Sequence, residues 1–244
     1  MQSPNSLTEK TLLRFDRPLA IVGGGTVDFG LLRALAARNV AFLGADGGGN
    51  TIGAAGFVPE AILGDLDSLE DRESWEARTR VIHIPEQITT DFQKALYSTE
   101  APVTLALGMT GKRLDHTLAA LGALHEVAPH RKVMLVDETD VALAVSGPFA
   151  FEAARGERIS VHPLVPIVFE RTQGLYYPMN ALLLDPAGRL GTSNEATGGR
   201  VEIVPRDATP WLLILGRERL WDLVEVCLGS QHIDASQTQS PPRA

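Results

Sequence analysis

The sequence predicts an α/β chain, with an N-terminal α/β domain on a parallel sheet and then a C-terminal antiparallel β-sandwich domain. Three observations carry this. From Pro18 to about Asp137, short apolar runs alternate with segments of helical spacing, as in a parallel sheet covered on both faces. After about Val141 only short runs remain, broken by Gly, Pro and Asn turns, as in an antiparallel module. Ser146-Gly147-Pro148 supplies a turn at the changeover.

Each element has its own justification. Leu19 to Val22 is apolar at every position, as a buried strand requires, and runs into Gly23-Gly24-Gly25. Phe29 to Ala37 has helical spacing. Val40 to Leu43 is a second strand ending at Gly44-Ala45-Asp46, and Ala61 to Leu63 a third ending at Gly64-Asp65. Val81 to Ile84 is the fourth. Thr90 to Tyr97 is helical, with Thr89 or Thr90 as its cap. Val103 to Leu107 is a strand, Leu114 to Val127 a helix, and Val133 to Val136 closes the series. The second module offers short strands at Phe149 to Phe151, Arg158 to His162, Ile167 to Glu170, Ala181 to Leu184, Arg200 to Val204 and Trp211 to Leu215. Arg217 to Leu228 reads as a last helix, because Leu220, Leu223, Val224 and Cys227 share a face. The expected division is a flexible arm over 1–17, an α/β domain over 18–145, a β-sandwich over 146–230 and a disordered tail over 231–244.

Composition narrows the function classes. With 22 basic and 30 acidic residues the chain carries a formal charge of −8, so the basic surplus of a nucleic-acid binder is missing. One cysteine, Cys227, excludes an intrachain disulfide and a multi-cysteine zinc site. It fits a reducing compartment, and its plainer reading is a buried side chain rather than a reactive thiol. No apolar run reaches the length of a membrane span, and Met1 to Lys10 has no apolar signal core. The expectation is a cytoplasmic protein with neither membrane nor nucleic acid as partner.

The informative residues are carboxylates just after strands: Asp46, then Asp65 and Asp67, with Asp91 at a helix start and Asp115 after a basic pair. In an open parallel sheet, loops at the carboxyl ends of strands converge on one crevice. From Asp46 to Asp91 there are ten acidic and three basic residues, so nearly all the net charge lies in this segment. Glu70, Asp71, Glu73 and Glu76 read as a solvated face. The remaining aspartates repel one another unless cations sit among them.

Oxygen-rich groups of this kind suit magnesium, which takes one or two carboxylates plus substrate phosphates. In extended backbone Asp65 and Asp67 would point the same way across Leu66. The alternative is a turn in which one aspartate caps a helix. Lys94 lies one helical turn beyond Asp91, and Lys112 and Arg113 follow the strand ending at Leu107. Magnesium with Lys and Arg is what phosphoryl chemistry needs. The alternatives are a surface ion pair for Lys94 and a structural pair with Asp115 for Arg113. Gly23-Gly24-Gly25 and Gly47-Gly48-Gly49 offer backbone amides to phosphate, but neither fits a Walker or a dinucleotide pattern. Asp46 after the second strand keeps a nicotinamide reading open. His116 reads as a structural hydrogen-bonding group, and no histidines share metal-ligand spacing.

Five motifs occur in order: Ala45-Asp46-Gly47-Gly48-Gly49-Asn50, Gly64-Asp65-Leu66-Asp67-Ser68, Thr90-Asp91-Phe92-Gln93-Lys94-Ala95-Leu96, Arg113-Leu114-Asp115-His116-Thr117-Leu118 and Gly191-Thr192-Ser193-Asn194-Glu195. Together they resemble the thiamine pyrophosphokinase family, from about Val22 to Leu215. The resemblance implies diphosphate transfer from ATP to the thiamine hydroxyl, with AMP leaving. It also implies a homodimer with sites at the subunit interface. Carried over residue by residue, Asp65, Asp67 and Asp91 hold Mg2+ and form the catalytic set. Asp46 and Asn50 line the nucleotide and metal pocket. Thr90, Lys94 and Arg113 contact phosphate, and Asp115 orients Arg113. Ser193 and Asn194 contact thiamine from the partner subunit. The sequence departs from the family at Glu86-Gln87-Ile88 and at Lys112, which stands where the family often has glycine. Trp211 is either a stacking aromatic or a core residue. A pyrophosphokinase acting on a pterin-like alcohol and a non-catalytic nucleotide sensor are the competing readings.

Overall fold

A computed structural model describes residues 13–229. The predicted tail over 231–244, and the first twelve residues of the predicted arm, lie outside the described residues. Chain order is β1 (Leu13–Arg14), β2 (Leu19–Val22), α1 (Phe29–Ala37), β3 (Ala41–Ala45), α2 (Gly48–Ala54), β4 (Ala61–Gly64), α3 (Arg72–Glu76), β5 (Arg80–His83), α4 (Asp91–Tyr97), β6 (Thr99–Glu100) and β7 (Thr104–Leu107). Then come α5 (Leu114–Val127), β8 (Val133–Val136), β9 (Asp140–Ser146), β10 (Phe149–Ala153), β11 (Arg158–Pro163), β12 (Ile167–Gln173), β13 (Leu182–Leu184), β14 (Gly191–Glu195), β15 (Gly199–Pro205), β16 (Pro210–Gly216) and α6 (Leu220–Gly229).

Ten strands form one sheet in the order β14-β11-β16-β9-β8-β7-β2-β3-β4-β5. From β8 to β5 every pairing is parallel. From β8 to β14 every pairing is antiparallel. The parallel half winds outward from β2 through β3, β4 and β5, then returns to the other side of β2 as β7. That reversal makes a topological switch point beside β2.

Strand alternation sorts the core into two layers. On β2, Ala20 and Val22 face Leu32 and Leu35 of α1 and Ile52 of α2. Leu19 and Ile21 face Phe92 and Leu96 of α4 and Leu124 of α5. This is the two-faced burial expected of a parallel sheet. A second sheet, ordered β10-β15-β12-β13, packs through Phe169, Val201 and Ile203 on the face shared with α1, α2 and α6. Trp211 on β16 is fully buried there, edge-on to Phe169 at 5.6 Å between centroids. Its indole N–H donates to the Gly147 carbonyl at 3.2 Å.

Two expectations need correction. The expected flexible arm over 1–17 includes β1, which pairs in parallel with β6, and Leu13 is buried. The changeover near residue 145 is not a break in the sheet. β9 is apolar from Val141 to Val145 and pairs with β8 on one side and β16 on the other. The antiparallel half therefore extends the parallel sheet, and only β10, β12, β13 and β15 form the second layer of the sandwich.

Candidate active site

Loops at the carboxyl ends of β2, β3, β4 and β7, together with the start of α4, enclose a crevice of about 530 Å³. It lies at the switch point, where open α/β sheets bind ligands. Its floor depends on glycine. A Cβ on Gly64, at φ +149°, would meet Asp91 Oδ1 at 2.8 Å and Asp46 Cβ at 3.0 Å. Only glycine lets both aspartates close over the end of β4.

Asp46, Asp65 and Asp67 each bring one carboxylate oxygen within 4.8 Å of the others. The reason differs from the extended geometry anticipated for Asp65 and Asp67. Leu66 has φ +63°, so the backbone turns between them, and Asp67 N–H donates to Asp65 Oδ1 at 3.4 Å. Asp46 is also left-handed, at φ +48°, a conformation aspartate tolerates better than most residues. Its carboxylate accepts from Ser68 N–H at 3.3 Å. Burial pushes the Asp46 carboxyl above its ordinary range, and the nearby Asp91 charge adds to this. Burial acts on Asp65 in the same sense, but the Gln87 amide, the Asp67 N–H and the Lys94 charge outweigh it and hold that carboxyl low.

Asp91 lines the same crevice but makes different bonds. Its Oδ1 accepts from Asp65 N–H at 3.1 Å and from Lys94 Nζ at 3.0 Å. Lys94 is only 1% exposed and lies 3.8 Å from Asp65 Oδ2. It is therefore no surface ion pair but a buried cation serving two crevice carboxylates. Thr90 caps α4 through a reciprocal capping box with Gln93. Arg113 and Asp115 form a two-pronged pair, Nε to Oδ1 at 3.1 Å and Nη2 to Oδ2 at 2.6 Å, on an exposed rim.

Other residues fall elsewhere. Asn50 was expected in the pocket, but its amide faces the β4–α3 loop. It donates to the Ser68 carbonyl at 2.9 Å and accepts from Glu70 N–H at 3.1 Å. It sets that loop's position and does not line the crevice. Gly48 and Gly49 belong to α2 rather than to a phosphate loop. A Cβ on Gly48 would overlap the Val22 carbonyl, so glycine lets this helix lie directly on β2. Gly23 and Gly25 donate their N–H groups to the Leu107 and Gly108 carbonyls at 2.8 and 2.9 Å, so these amides are already engaged.

Ser193 and Asn194 lie on β14, the far edge of the sheet. Five strand spacings of about 4.8 Å separate β14 from β7, roughly 24 Å, so neither reaches the crevice of its own chain. Ser193 is exposed, at φ +57°. Asn194 is buried. It accepts from Tyr177 N–H at 3.0 Å and donates to the Tyr177 carbonyl at 2.7 Å. Its amide thus holds a loop that presents Tyr176 and Tyr177, each 62% exposed and edge-on at 4.9 Å. Cys227 is fully buried with its thiol pushed up to about 11, so it is no nucleophile.

Two residues of the loop before α4 carried no motif, and Gln87 of these lines the crevice. Gln87 Nε2 donates to Asp65 Oδ2 at 3.0 Å. Glu86 gathers the loop before α4, accepting from Ile88 N–H at 2.7 Å, Thr89 N–H at 3.0 Å, the Thr89 hydroxyl and the Tyr97 hydroxyl at 3.1 Å. The departure at Glu86-Gln87-Ile88 was the available signal. The sequence could not say which of the three residues pointed inward.

A parallel α/β sheet with a carboxylate-lined crevice at its switch point, edged by lysine and arginine, defines a crevice-type α/β protein suited to cation and phosphate binding. Part of the chain is similar to the thiamine pyrophosphokinases. Residues 32–136 match the family model for thiamin pyrophosphokinase, catalytic domain. The chain is 30% identical over 158 residues to thiamin pyrophosphokinase 1 of Caenorhabditis elegans, 59% of this chain and 65% of that protein. It therefore spans just under two thirds of that relative. It is 28% identical over 170 residues to thiamine pyrophosphokinase of Bacillus subtilis, 65% of this chain and 79% of that one. The fold agrees. The crystal structure of the Bacillus subtilis enzyme superposes with a TM-score of 0.69 at 23% identity, covering 82% of this chain and 99% of that one. Thiamin pyrophosphokinase from Candida albicans gives 0.71 at 15% identity, covering 82% and 89%.

Proposed function

We propose that the chain transfers a diphosphate group from ATP to the hydroxyl of thiamine. Attack on the β-phosphorus gives thiamine diphosphate and AMP. The observation that best supports this is the crevice itself. Three carboxylates converge at the switch point beside a buried lysine, within the segment that matches the family's catalytic domain.

The donor set fits magnesium. Asp46, Asp65 and Asp67 offer hard oxygens from two loops at mutual distances one cation can bridge. Burial raises the proton affinity of Asp46, and the neighbouring Asp91 charge adds to it. When bound, the ion neutralises phosphate charge and polarises the phosphorus under attack. Asp65, Asp67 and Asp91, the set read from the sequence, form the acidic wall with Asp46. Lys94 keeps Asp91 and Asp65 from repelling each other. Arg113, held by Asp115, presents its guanidinium to phosphate oxygens at the open rim. Thr90 places its hydroxyl and the start of α4 at the same end. A crevice aspartate takes the hydroxyl proton.

In this reading residues 18–145 bind ATP and magnesium, and residues 146–230 bind thiamine and dimerise. The roughly 24 Å between β14 and β7 supports a homodimer in which Ser193 of one chain completes the crevice of the other. Asn194 then acts by positioning the Tyr176–Tyr177 loop, since its amide is already engaged.

Purified chain with thiamine, ATP and magnesium tests the proposal, with nucleotides and thiamine species resolved by chromatography. AMP and thiamine diphosphate should form in equal amounts. ADP with thiamine monophosphate would overturn one-step diphosphate transfer. Turnover of a pterin-like alcohol alone would overturn the substrate.

A further inference from the structure

One crevice cation has no role in the reading above. Lys112, in the β7–α5 loop, lines the crevice. Its Nζ donates to the Gly24 carbonyl at 3.1 Å, across 88 residues of sequence. This bond ties the β7–α5 loop to the β2–α1 glycine loop, so it spans one end of the crevice. The other cations there are committed. Lys94 is buried between Asp91 and Asp65, and Arg113 is paired with Asp115. Among the described residues, Lys112 has no carboxylate within ion-pair distance.

An ammonium carries three N–H donors, and one carbonyl occupies one of them. A neutral carbonyl is also the weaker partner, because an anionic phosphate oxygen adds the attraction of opposite charges to the hydrogen bond. Room exists for an exchange. A Cβ on Gly24 would meet nothing within 4 Å, and neither would one on Gly111, which sits at φ +101° beside the lysine. We propose that Lys112 is a phosphate clamp. It latches the Gly24 carbonyl in the free chain and exchanges it for a non-bridging phosphate oxygen when a polyphosphate enters. The proposal rests on the crevice being a polyphosphate site and adds to it the residue that closes over the ligand.

The test separates the clamp from the reading beneath it. Magnesium tripolyphosphate is titrated into full-length wild type, Lys112→Gln and Lys112→Arg by calorimetry, with no thiamine and hence no turnover. Lys112→Gln should bind about tenfold more weakly, the loss of one charge-assisted bond, and its affinity should fall less steeply with salt. Lys112→Arg should stay close to wild type. In the thiamine assay Lys112→Gln should raise KM for ATP more than it lowers kcat. Equal tripolyphosphate affinity for wild type and Lys112→Gln would overturn the clamp and leave the crevice reading intact. Failure of the wild type to bind tripolyphosphate would overturn both.

Discussion

Glu86 shows what a single residue can decide here. Burial alone would raise its carboxyl, but hydrogen bonds from Thr89, Ile88 and Tyr97 overcome that and bring it down to about 2 from an ordinary 4.5. The folded carboxyl thus binds a proton less readily than the unfolded one. Its charge stabilises the fold above about pH 4.5, and that contribution is lost as pH falls from 4.5 toward 2. Glu86→Gln should therefore lower the thermal midpoint at pH 7 by roughly 2–4 °C, a modest effect because the group is partly solvated. The gap to wild type should narrow in scans at successively lower pH below 4.5. A gap that stayed constant from pH 7 to pH 3 would mean that charge has no part in it. The sequence showed the aspartates because they stand beside glycines at strand ends. It did not show Glu86 or Gln87, because a loop without periodicity leaves side-chain direction to tertiary contacts. Nor did it show that Asp46, rather than Asp91, would share the close oxygen group with Asp65 and Asp67. That depends on left-handed turns at Asp46 and Leu66.

At the scale of elements, α4 is the one on which the site most depends. It carries Asp91 and Lys94 into the crevice, and Thr90 starts it through the capping box. Thr90→Ala should cost about 1 kcal/mol, or roughly 2–4 °C in thermal midpoint, while Thr90→Ser should stay near wild type. If Thr90→Ala left the midpoint unchanged by calorimetry, the box would be dispensable. This helix was legible because cap, acid and apolar spacing agreed. The helix α2 was not. Gly48-Gly49-Asn50-Thr51 has poor helix propensity, and the helix forms because bare glycine lets it lie on β2. Strand β14 was seen as a motif but not as a strand. It is polar and sits at the sheet edge, where its pairing with β11 slips by a bulge. Strand β9 was hidden in the changeover because its partners on either side come from different halves of the chain.

Across the whole molecule, one sheet carries the acidic crevice and the Ser193 edge at places a single chain cannot bring together. The two-part character of the chain was legible because strand–helix alternation stops once. The continuity of the sheet was not, since pairing partners far apart in sequence leave no local trace. If the proposed dimer completes each crevice with the other chain's β14, two separately inactive variants should rescue one another. Asp65→Asn damages the crevice it belongs to, and Ser193→Ala damages the crevice of its partner. In a mixed dimer both lesions fall on the same site and the other site is intact. Equal mixing with free exchange makes about half the dimers mixed, each with one working site of two. Activity should therefore recover to about a quarter of wild type, as the two-fold symmetry dictates. Measured by thiamine diphosphate formation after co-refolding, no recovery would place Ser193 outside a shared site. Recovery would be expected only if the thiamine edge and the phosphate crevice belong to different chains.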